Sequence, residues 1–501
     1  METHRLMRLH DAIRSLRDEA SATERSMQSA LGALPIAMQR SARNLAHYLA
    51  LRGTDHAQLQ AELVRAGLSS LARREAHVMP TLDAVERALA AMCGRESDRP
   101  RADIAIDDGA TLLERHAAEL LGPPRPHPTR IMVTLPPWGA GDVVFMGSLL
   151  DAGMDVGRIN ASHGDIAQWT ACAEALRTAA ATRGRRIPIS IDLAGPKVRT
   201  GVCASGPIIL RANDIVVLHT GPTSTDAPRD EECFATGPAR VAVRPRELVA
   251  HIAQGHRVLF DDGNIRARCT AVNRVSGEAT CIVEAARTGA WPLKDRKGVN
   301  VPDTDLPIRA LTDADFKTLD FAVAHVDFVS MSFVRSASDV QDLHRAVLER
   351  TQRPIGIVAK IETPQACNAL PEILLELMKM PPCGVMLARG DLGVEIGFEN
   401  LPEAQDEILA LAEAAHVPVI WATQVLESMT DHGFPTRGEV TDAADAARAD
   451  AVMLGIGTFM LDTVRFTEEL LSRTKLRRAR SRALLGRLPS TRASDANGTT
   501  L

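Results

Sequence analysis

Several features that mark specialised classes of protein are scarce or missing in this sequence. Only 3% of the 501 residues are aromatic, with a single tyrosine and four tryptophans. No apolar run approaches the about 20 residues of a transmembrane helix, and the first residues lack the apolar region of a signal peptide. These absences argue against a membrane protein and against a secreted one.

The cysteines lack the spacing of a metal site or a disulfide framework. Eight cysteines are present, none in a paired CxxC motif, and most lie inside apolar runs. That pattern is typical of reduced thiols in a cytoplasmic protein. The net charge of −5 argues against a nucleic-acid partner. We therefore expect neither nucleic acid nor a membrane among the partners.

Lysine is also scarce, because the chain uses arginine for most of its positive charge. It has seven lysines, and two of them, Lys197 and Lys360, follow apolar runs at predicted strand ends. A compact ammonium group and a planar guanidinium are not interchangeable. The choice of lysine at these positions is a weak indication that the ammonium has a function there.

Two short apolar runs, 355–359 and 384–388, stand out among the features that are present. Each is followed by charged residues: Lys360 and Glu362 after the first run, and Asp391 after the second. Both runs suit strands buried on two faces, and alternation places Lys360 and Glu362 on one side. If the strands are neighbours, about 4.8 Å apart, Glu362 and Asp391 can hold one divalent cation such as Mg²⁺. Lysine and metal together suit phosphoryl or enolate chemistry; the alternative is a buried ion pair capping two strands.

The whole chain alternates buried runs with helical stretches after a helical N-terminal part. Eight such runs point to a TIM (β/α)8 barrel, an α/β fold whose active site lies at the C-terminal ends of the strands. The runs begin at Ile131, Met154, Ile187, Val326, Ile355, Gly384, Val417 and Ala449. The chemically suggestive residues do follow these runs: Arg158, Asn160, Ser162, Asp192, Lys360, Glu362, Asp391, Thr423 and Gln424.

The domain boundaries follow from changes in pattern and composition. We expect an N-terminal all-α extension with a Pro-rich linker at 1–128, and a barrel at 129–199 and 297–475. Alternating β-branched segments indicate a small inserted β domain at 200–296, placed to act as a lid. Residues 476–501 have the composition of a disordered tail.

The motifs taken together resemble the pyruvate kinase family from about Thr129 to Lys475. The segment MDVGRINASHG is similar to the family's M-N-x-A-R-x-N-x-S-H-G, and SIDLAGPKVRTG is similar to D-x-x-G-P-x-I-R-T-G. The segments DDGNI, KGVNVP, SFVRSASDV, AKIET, ARGDLGVEI and ATQVLESM follow in family order. The resemblance ends near Lys475, so we expect a form without the family's C-terminal regulatory domain.

The resemblance implies transfer of the phosphoryl group of phosphoenolpyruvate to ADP, giving pyruvate and ATP in glycolysis. Carried over by position, Glu362 and Asp391 would ligate Mg²⁺ or Mn²⁺, and Lys360 would stabilise the moving phosphoryl group and the enolate. Arg158 would clamp the phosphate. Main-chain N–H groups of Gly390 and Asp391 would hold the substrate carboxylate, and Thr423 would lie near the carbon that is protonated.

The resemblance also implies a nucleotide site and a monovalent-cation site. The nucleotide residues would be Thr134, Pro137, His163 and Arg199. The cation site would consist of Asn160, Ser162, Asp192 and the Leu193 carbonyl. Family members with lysine at the position of Lys197 typically do not need K⁺, whereas those with glutamate do. We therefore expect K⁺ not to be required, because the lysine supplies a fixed positive charge.

Some positions depart from the family pattern and keep other functions open. The family's S-G-E-T-A segment after the eighth strand is GIGTF here, from Gly455 to Phe459, and the lysine that usually follows D-T is Ala194. One alternative is a Mg²⁺-dependent aldolase or lyase of the phosphoenolpyruvate/pyruvate barrel group. Another is a catalytically weak paralogue whose N-terminal helices bind a partner. We expect the protein to form a homo-oligomer.

Overall fold

The computed structural model describes residues 2–95, 105–125, 127–203, 206–220 and 238–481. Most of the predicted tail, from residue 482 onward, lies outside these ranges, as do 204–205 and 221–237 of the predicted inserted domain. The helices of the described residues are α1 (Glu2–Ser26), α2 (Gln28–Gly32), α3 (Ile36–Arg52), α4 (Ala57–Arg65), α5 (Val78–Met92), α6 (Asp108–Leu121), α7 (Val143–Ala152), α8 (Ile166–Ala181), α9 (Glu247–His251), α10 (Asp313–His325), α11 (Ala337–Leu348), α12 (Pro364–Asn368), α13 (Leu370–Leu377), α14 (Arg389–Ile396), α15 (Leu401–Ala414), α16 (Glu427–His432), α17 (Arg437–Asp445) and α18 (Met460–Ser481).

Short, mostly buried segments form the strands. In chain order they are β1 (Arg130–Thr134), β2 (Val156–Asn160), β3 (Ile189–Asp192), β4 (Arg199–Thr200), β5 (Ile208–Arg211), β6 (Ile215–His219), β7 (Ala239–Arg244), β8 (Arg257–Phe260), β9 (Ile265–Asn273), β10 (Glu278–Ala286), β11 (Ala290–Leu293), β12 (Val299–Asn300), β13 (Phe328–Met331), β14 (Gly356–Ile361), β15 (Cys383–Ala388), β16 (Val419–Ala422) and β17 (Ala451–Leu454).

Eight parallel strands close into a barrel in the order β1, β17, β16, β15, β14, β13, β3, β2. Each of the eight predicted runs supplies one of these strands, so the predicted (β/α)8 fold class is confirmed. The strands are apolar because they are covered on both faces, and every residue of β15 is buried. Parallel neighbours need crossover connections, which the helices between the strands provide.

A separate β unit lies between β3 and β13. Seven of its strands form a sheet in the order β12, β8, β9, β10, β6, β7, β4, and β11 pairs with β5. Its own apolar core includes Val216, Val241, Phe260 and Cys281. Strand β9 alternates buried and exposed residues along its first five positions, which is the pattern of a half-buried strand. The predicted domain boundaries remain predictions.

The last turn of α6 closes the N-terminal end of the barrel. Leu120 and Leu121 are buried with apolar side chains from the barrel interior, among them Phe328. Two glycines make the close approach possible, because a Cβ atom on Gly356 or Gly384 would lie 2.7 Å from the Leu120 side chain. The helical extension is therefore part of the barrel's core packing.

A buried polar network joins the extension to the turn between α15 and β16. His416 Nε2 lies 2.8 Å from the Ala76 carbonyl and its Nδ1 lies 3.0 Å from Ser41 Oγ. Since a carbonyl can only accept, the proton is on Nε2 and Nδ1 accepts from the serine. Asn44 donates to the Ala414 carbonyl at 2.8 Å, and His116 donates to the His416 carbonyl at 2.7 Å. Burial lowers the pKa of His416 to about 4.

Candidate active site

Charged side chains converge at the C-terminal ends of the barrel strands. Lys360 is the penultimate residue of β14, and β14 pairs with β15, which runs directly into α14 and Asp391. On the other side, β2 pairs with β3 so that Asn160 lies opposite Asp192. The strand order therefore brings these groups to the same end of the barrel, as the runs in the sequence predicted.

Lys360 is surrounded by oxygen atoms. Its Nζ lies 2.9 Å from Glu362 Oε1, 3.5 Å from Asp192 Oδ2 and 2.9 Å from Ser332 Oγ. Burial alone would lower the pKa of the ammonium, but the charges of Glu362 and Asp192 outweigh this effect and raise it. Lys360 thus carries a fixed positive charge at the centre of the site.

Glu362 is held from two directions. Its Oε1 faces Lys360, and its Oε2 accepts a hydrogen bond of 2.7 Å from the Phe333 amide. Burial raises the pKa of this carboxyl, with Asp391 adding to the rise and Lys360 opposing it. The two carboxylates therefore interact electrostatically, which a shared divalent cation would relieve.

Asp391, in the first turn of α14, is neutralised by Lys197. Lys197 Nζ lies 2.7 Å from Asp391 Oδ1 and 3.6 Å from Asp262 Oδ1, and it lies 5.6 Å from the centre of the Phe333 ring. Burial favours the neutral acid, yet the Lys197 charge outweighs it and holds the pKa of Asp391 below its ordinary value. The sequence did not indicate which carboxylate Lys197 contacts, and the structure pairs it with Asp391 on α14.

Asn300 adds a second contact to α14. Its amide donates to Glu395 Oε1 at 2.8 Å and lies 3.5 Å from Asp391 Oδ1. Burial raises the pKa of Glu395 to about 7. These two residues were missed in the sequence, although both stand in quoted motifs, KGVNVP and ARGDLGVEI.

Arg158 and Asp192 form a buried pair with unused hydrogen-bonding capacity. Arg158 Nη2 lies 2.8 Å from Asp192 Oδ2, and Nη1 donates to Thr134 Oγ1 at 3.1 Å. Burial opposes ionisation of Asp192, but Arg158 and Lys360 outweigh it and lower the pKa. Arg158 Nε and Asp192 Oδ1 are buried without a hydrogen-bond partner. Unsatisfied buried polar atoms are rare in proteins and point to a missing ligand.

The predicted monovalent-cation residues are only partly available in this arrangement. The Leu193 carbonyl accepts a 2.7 Å hydrogen bond from the Ser332 hydroxyl, and Asn160 Oδ1 accepts from the Ser162 amide at 3.1 Å. Ser332, which links Leu193 to Lys360, was also missed. The signal for it was a hydroxyl at the end of a predicted strand, in the SFVRS motif.

The start of α14 and the end of β16 are joined by a hydrogen bond. The helix begins at Arg389, and the Gly390 amide donates to Thr423 Oγ1 at 2.6 Å. Thr423 has a φ of 65°, which is uncommon for a residue other than glycine. Strained backbone of this kind often occurs at functional sites.

The four predicted nucleotide residues are spread over three strand ends. Thr134 donates to the Leu454 carbonyl and contacts Arg158, and Pro137 opens a short 3₁₀ turn after β1. His163 is exposed, and Arg199 in β4 donates to the Arg296 carbonyl at 3.2 Å. Within the described ranges, no hydrogen bond or ion pair joins Pro137, His163 and Arg199 to one another.

The loop after β17 brings no carboxylate to the site. A Cβ atom on Gly455 would meet no atom within 4 Å, whereas one on Gly457 would lie 2.5 Å from the Thr430 carbonyl oxygen. Phe459, at the end of the loop, packs against Gly433. The GIGTF segment therefore has room for a side chain at its first position and none at its third.

The residues present fit a divalent cation bound with few protein ligands. In the described part of the chain, no group of three or more His, Cys, Asp or Glu residues is arranged to hold a metal. Glu362 and Asp391 are two interacting carboxylates at adjacent strand ends. Mg²⁺ typically takes one or two carboxylates and completes its shell with water and substrate oxygens.

Comparisons with known proteins agree with this geometry. A family model described as the pyruvate kinase barrel domain matches residues 127–460. This chain belongs to the pyruvate kinase family. The pyruvate kinase of Mycobacterium intracellulare is 35% identical over 350 residues, covering 68% of this chain and 69% of that one. That of Thermococcus litoralis is 35% identical over 375 residues, covering 72% and 74%.

A solved structure gives the same result. A pyruvate kinase from Cryptosporidium parvum superposes with a TM-score of 0.61 at 29% identity, covering 72% of this chain and 70% of that chain. Members of the pyruvate kinase family use a divalent metal ion. No helix in the described ranges combines the length and hydrophobicity needed to cross a membrane.

Proposed function

We propose that this protein transfers the phosphoryl group of phosphoenolpyruvate to ADP. The observation that carries the proposal is the Lys360 ammonium, held between Glu362 and Asp192 at the C-terminal end of a pyruvate kinase family barrel. In the reaction, the bond between phosphorus and the enol oxygen breaks. A bond forms to a terminal phosphate oxygen of ADP, and the enolate takes up a proton at carbon.

The two cations Lys360 and Arg158 would bind the transferred group. Both are tied to Asp192, which fixes their positions relative to each other. Arg158 would present a planar fork to phosphate oxygens, and Lys360 would meet the charge that develops on the enolate. Positions fixed before the substrate arrives cost no reorganisation during the reaction. Thr423 would lie near the carbon that receives the proton.

Glu362 and Asp391 would hold Mg²⁺ or Mn²⁺. A bound divalent ion would neutralise phosphate charge and polarise the substrate oxygens. Lys197 would stabilise the Asp391 carboxylate, with its Nζ 2.7 Å from Oδ1. We propose that this fixed charge removes the need for K⁺, although Asn160, Ser162 and Asp192 are present.

The remaining predicted assignments are proposals on the same basis. Thr134, Pro137, His163 and Arg199 would bind the nucleotide. Seven of the eight cysteines lie in described positions and are free thiols, which suits a reaction in the cytoplasm. Assembly into a homo-oligomer remains a prediction.

The test is formation of pyruvate from phosphoenolpyruvate and ADP, coupled to lactate dehydrogenase. We expect turnover by the wild type and a loss of about 100-fold or more in Lys360→Met, because that variant lacks the charge that stabilises the transition state. Lys379→Met is the matched control, since Lys379 is a surface lysine paired with Glu376. Pyruvate formation that does not depend on ADP, or equal loss in the two variants, would contradict the proposal.

One observation favours a second candidate, a catalytically weak paralogue. The 455–459 loop supplies neither the hydroxyl nor the carboxylate of the family segment. The free space at Gly455 allows a test, because Gly455→Ser restores the hydroxyl without a clash. A wild-type rate near background that rises in Gly455→Ser would favour this candidate. An unchanged, substantial rate would favour the kinase.

A further inference from the structure

A cleft of about 1000 Å³ lies at the end of the barrel opposite the candidate active site. It is bounded by the end of α3, by α15, and by the N-terminal ends of β16 and β17. Small-molecule sites commonly have volumes of about 300–1000 Å³. None of its lining residues belongs to the candidate active site, so any ligand here would bind independently of the phosphoryl-transfer chemistry.

A buried tyrosine lines this cleft with an unused hydroxyl. Tyr48, the only tyrosine of the chain, is 5% exposed. The structure gives its hydroxyl no hydrogen-bond partner among the described residues. Burial, together with the charge of Glu75, raises the pKa of Tyr48 to about 12. The phenol therefore stays neutral, and its oxygen can accept a hydrogen bond from a ligand.

The cleft has a strong excess of negative charge. Seven carboxylates line it against three guanidinium groups. One of the three, Arg448, is already paired with Asp406 at 2.7 Å and with Asp445 at 3.6 Å. Another, Arg52, lies 5.9 Å from the centre of the Tyr48 ring. The charge balance therefore favours a cationic ligand and disfavours phosphate or carboxylate compounds.

Two of the carboxylates lie one helical turn apart and have no ion-pair partner among the described residues. Glu403 and Glu407 lie four residues apart on α15, so their Cβ atoms are about 5–6 Å apart. Neither makes an ion pair or a side-chain hydrogen bond with a described residue. Glu407 also raises the pKa of Tyr48, and it adds to the burial that raises the pKa of Cys367 to about 11. The Glu407 carboxylate is therefore close enough to the Tyr48 hydroxyl to affect it electrostatically.

A single metal ion does not fit these features. No group of three or more His, Cys, Asp or Glu in the described residues has a metal-binding arrangement. The cleft is also far larger than one ion, and apolar side chains such as Leu49 and Leu409 form part of its wall. A ligand with several separated positive charges on an aliphatic chain matches both the carboxylate spacing and the apolar wall.

We propose that this cleft binds an aliphatic polyamine. Two ammonium groups of the ligand pair with Glu403 and Glu407, one ammonium donates to the Tyr48 oxygen, and the methylene groups lie against Leu49 and Leu409. Because α3 belongs to the N-terminal extension and α15 to the barrel, the bound polyamine connects the two. Binding to the folded protein alone must then raise the melting temperature.

The test is calorimetric titration and thermal unfolding of the full chain with spermidine at constant ionic strength. We expect saturable binding of one spermidine and a rise in Tm. Removing both carboxylates in Glu403→Gln/Glu407→Gln should weaken binding by about tenfold or more. Tyr48→Phe should weaken it by about threefold, the typical effect of one hydrogen bond.

Controls separate this site from general charge effects. Glu174→Gln removes one negative charge by the same type of substitution, at an exposed position of α8 outside the cleft, and should bind spermidine like the wild type. Circular dichroism checks that the double variant remains folded; it should, because neither side chain makes an ion pair or a side-chain hydrogen bond with a described residue. Equal stabilisation by MgCl₂, equal weakening in Glu174→Gln, or an absence of saturable binding would each overturn the proposal.

Discussion

Lys197 and Asp391 form the contact from which we predict the metal and K⁺ requirements. The ammonium lies 2.7 Å from Oδ1 of a carboxylate that is expected to bind the divalent ion. The pKa of Lys197 is raised because the charge of Asp391 outweighs the effect of burial, so Lys197 keeps its positive charge at neutral pH. A second positive ion close to this ammonium would be repelled.

This contact predicts that catalysis does not need K⁺. In a KCl titration balanced with tetramethylammonium, we expect the wild-type rate to change by less than about twofold, since the Lys197 charge is already present. Lys197→Glu should create K⁺ dependence, because it places a new carboxylate beside Asp391. Strong activation of the wild type by K⁺ would contradict this account of Lys197.

The proposed metal ligands Glu362 and Asp391 give a prediction about turnover. Asp391→Asn or Glu362→Gln should lower kcat by about 100-fold or more, since each removes an anionic metal ligand while keeping the side-chain volume. Asp342→Asn, at an exposed position on α11, is the matched control. Unchanged activity at limiting Mg²⁺ would remove the altered residue from the ligand set.

Among the structural elements, the turn between α15 and β16 should make the stability of the protein sensitive to acid. The unfolded His416 binds a proton below pH 6.5, whereas the folded one remains neutral until the pH approaches about 4. The free energy of unfolding should therefore fall as pH drops through this window, by about 3 kcal/mol in total. Besides burial, four residues affect the pKa of His416, and all of them lie in the N-terminal extension: Ala76, His116, Arg40 and His77.

Urea unfolding at a series of pH values tests this contribution. His416→Asn should have a shallower pH dependence between 6.5 and 4, and asparagine suits the positive φ of 50° at this position. The comparison with wild type cancels the titration of the groups that the two proteins share, the carboxylates above all. Parallel curves for the two proteins would show that His416 does not contribute.

A substitution in helix α6 should lower the stability of the protein without changing its catalytic rate. Leu120→Ala should lower the free energy of unfolding by about 2–5 kcal/mol, because it leaves a cavity at the closed end of the barrel. Leu348→Ala, at a position 50% exposed on α11, should have little effect. The kcat of the folded Leu120→Ala protein should remain close to wild type, since the catalytic residues lie at the other end. A stability loss no larger than that of Leu348→Ala would contradict the role of α6.

At the scale of the whole molecule, the sequence predicted the barrel because its signal is local. Each buried run is recognisable by itself, and strand alternation placed Lys360 and Glu362 together. The partner of Lys197 was not predictable, because it depends on how the chain from β3 passes over α14. The packing of Leu120 into the N-terminal end of the barrel was not predicted for a similar reason. A leucine in a helical pattern does not reveal which core it joins.

The residues in these predictions lie at the two opposite ends of the barrel, so their effects can be measured separately. Lys360, Glu362 and Asp391 lie at the C-terminal ends of the strands, whereas Leu120, His416 and the polyamine cleft lie at the N-terminal ends. Changes at the second end should alter stability and ligand binding before they alter turnover. Changes at the first end should do the reverse.

Phosphoryl transfer to ADP can be followed directly by ³¹P NMR of the wild-type protein with phosphoenolpyruvate, ADP and Mg²⁺. We expect the phosphoenolpyruvate signal to disappear while the γ-phosphate signal of ATP grows in equal amount, and we expect neither change with Lys360→Met. Loss of phosphoenolpyruvate to inorganic phosphate, or no reaction in the wild type, would contradict phosphoryl transfer to ADP.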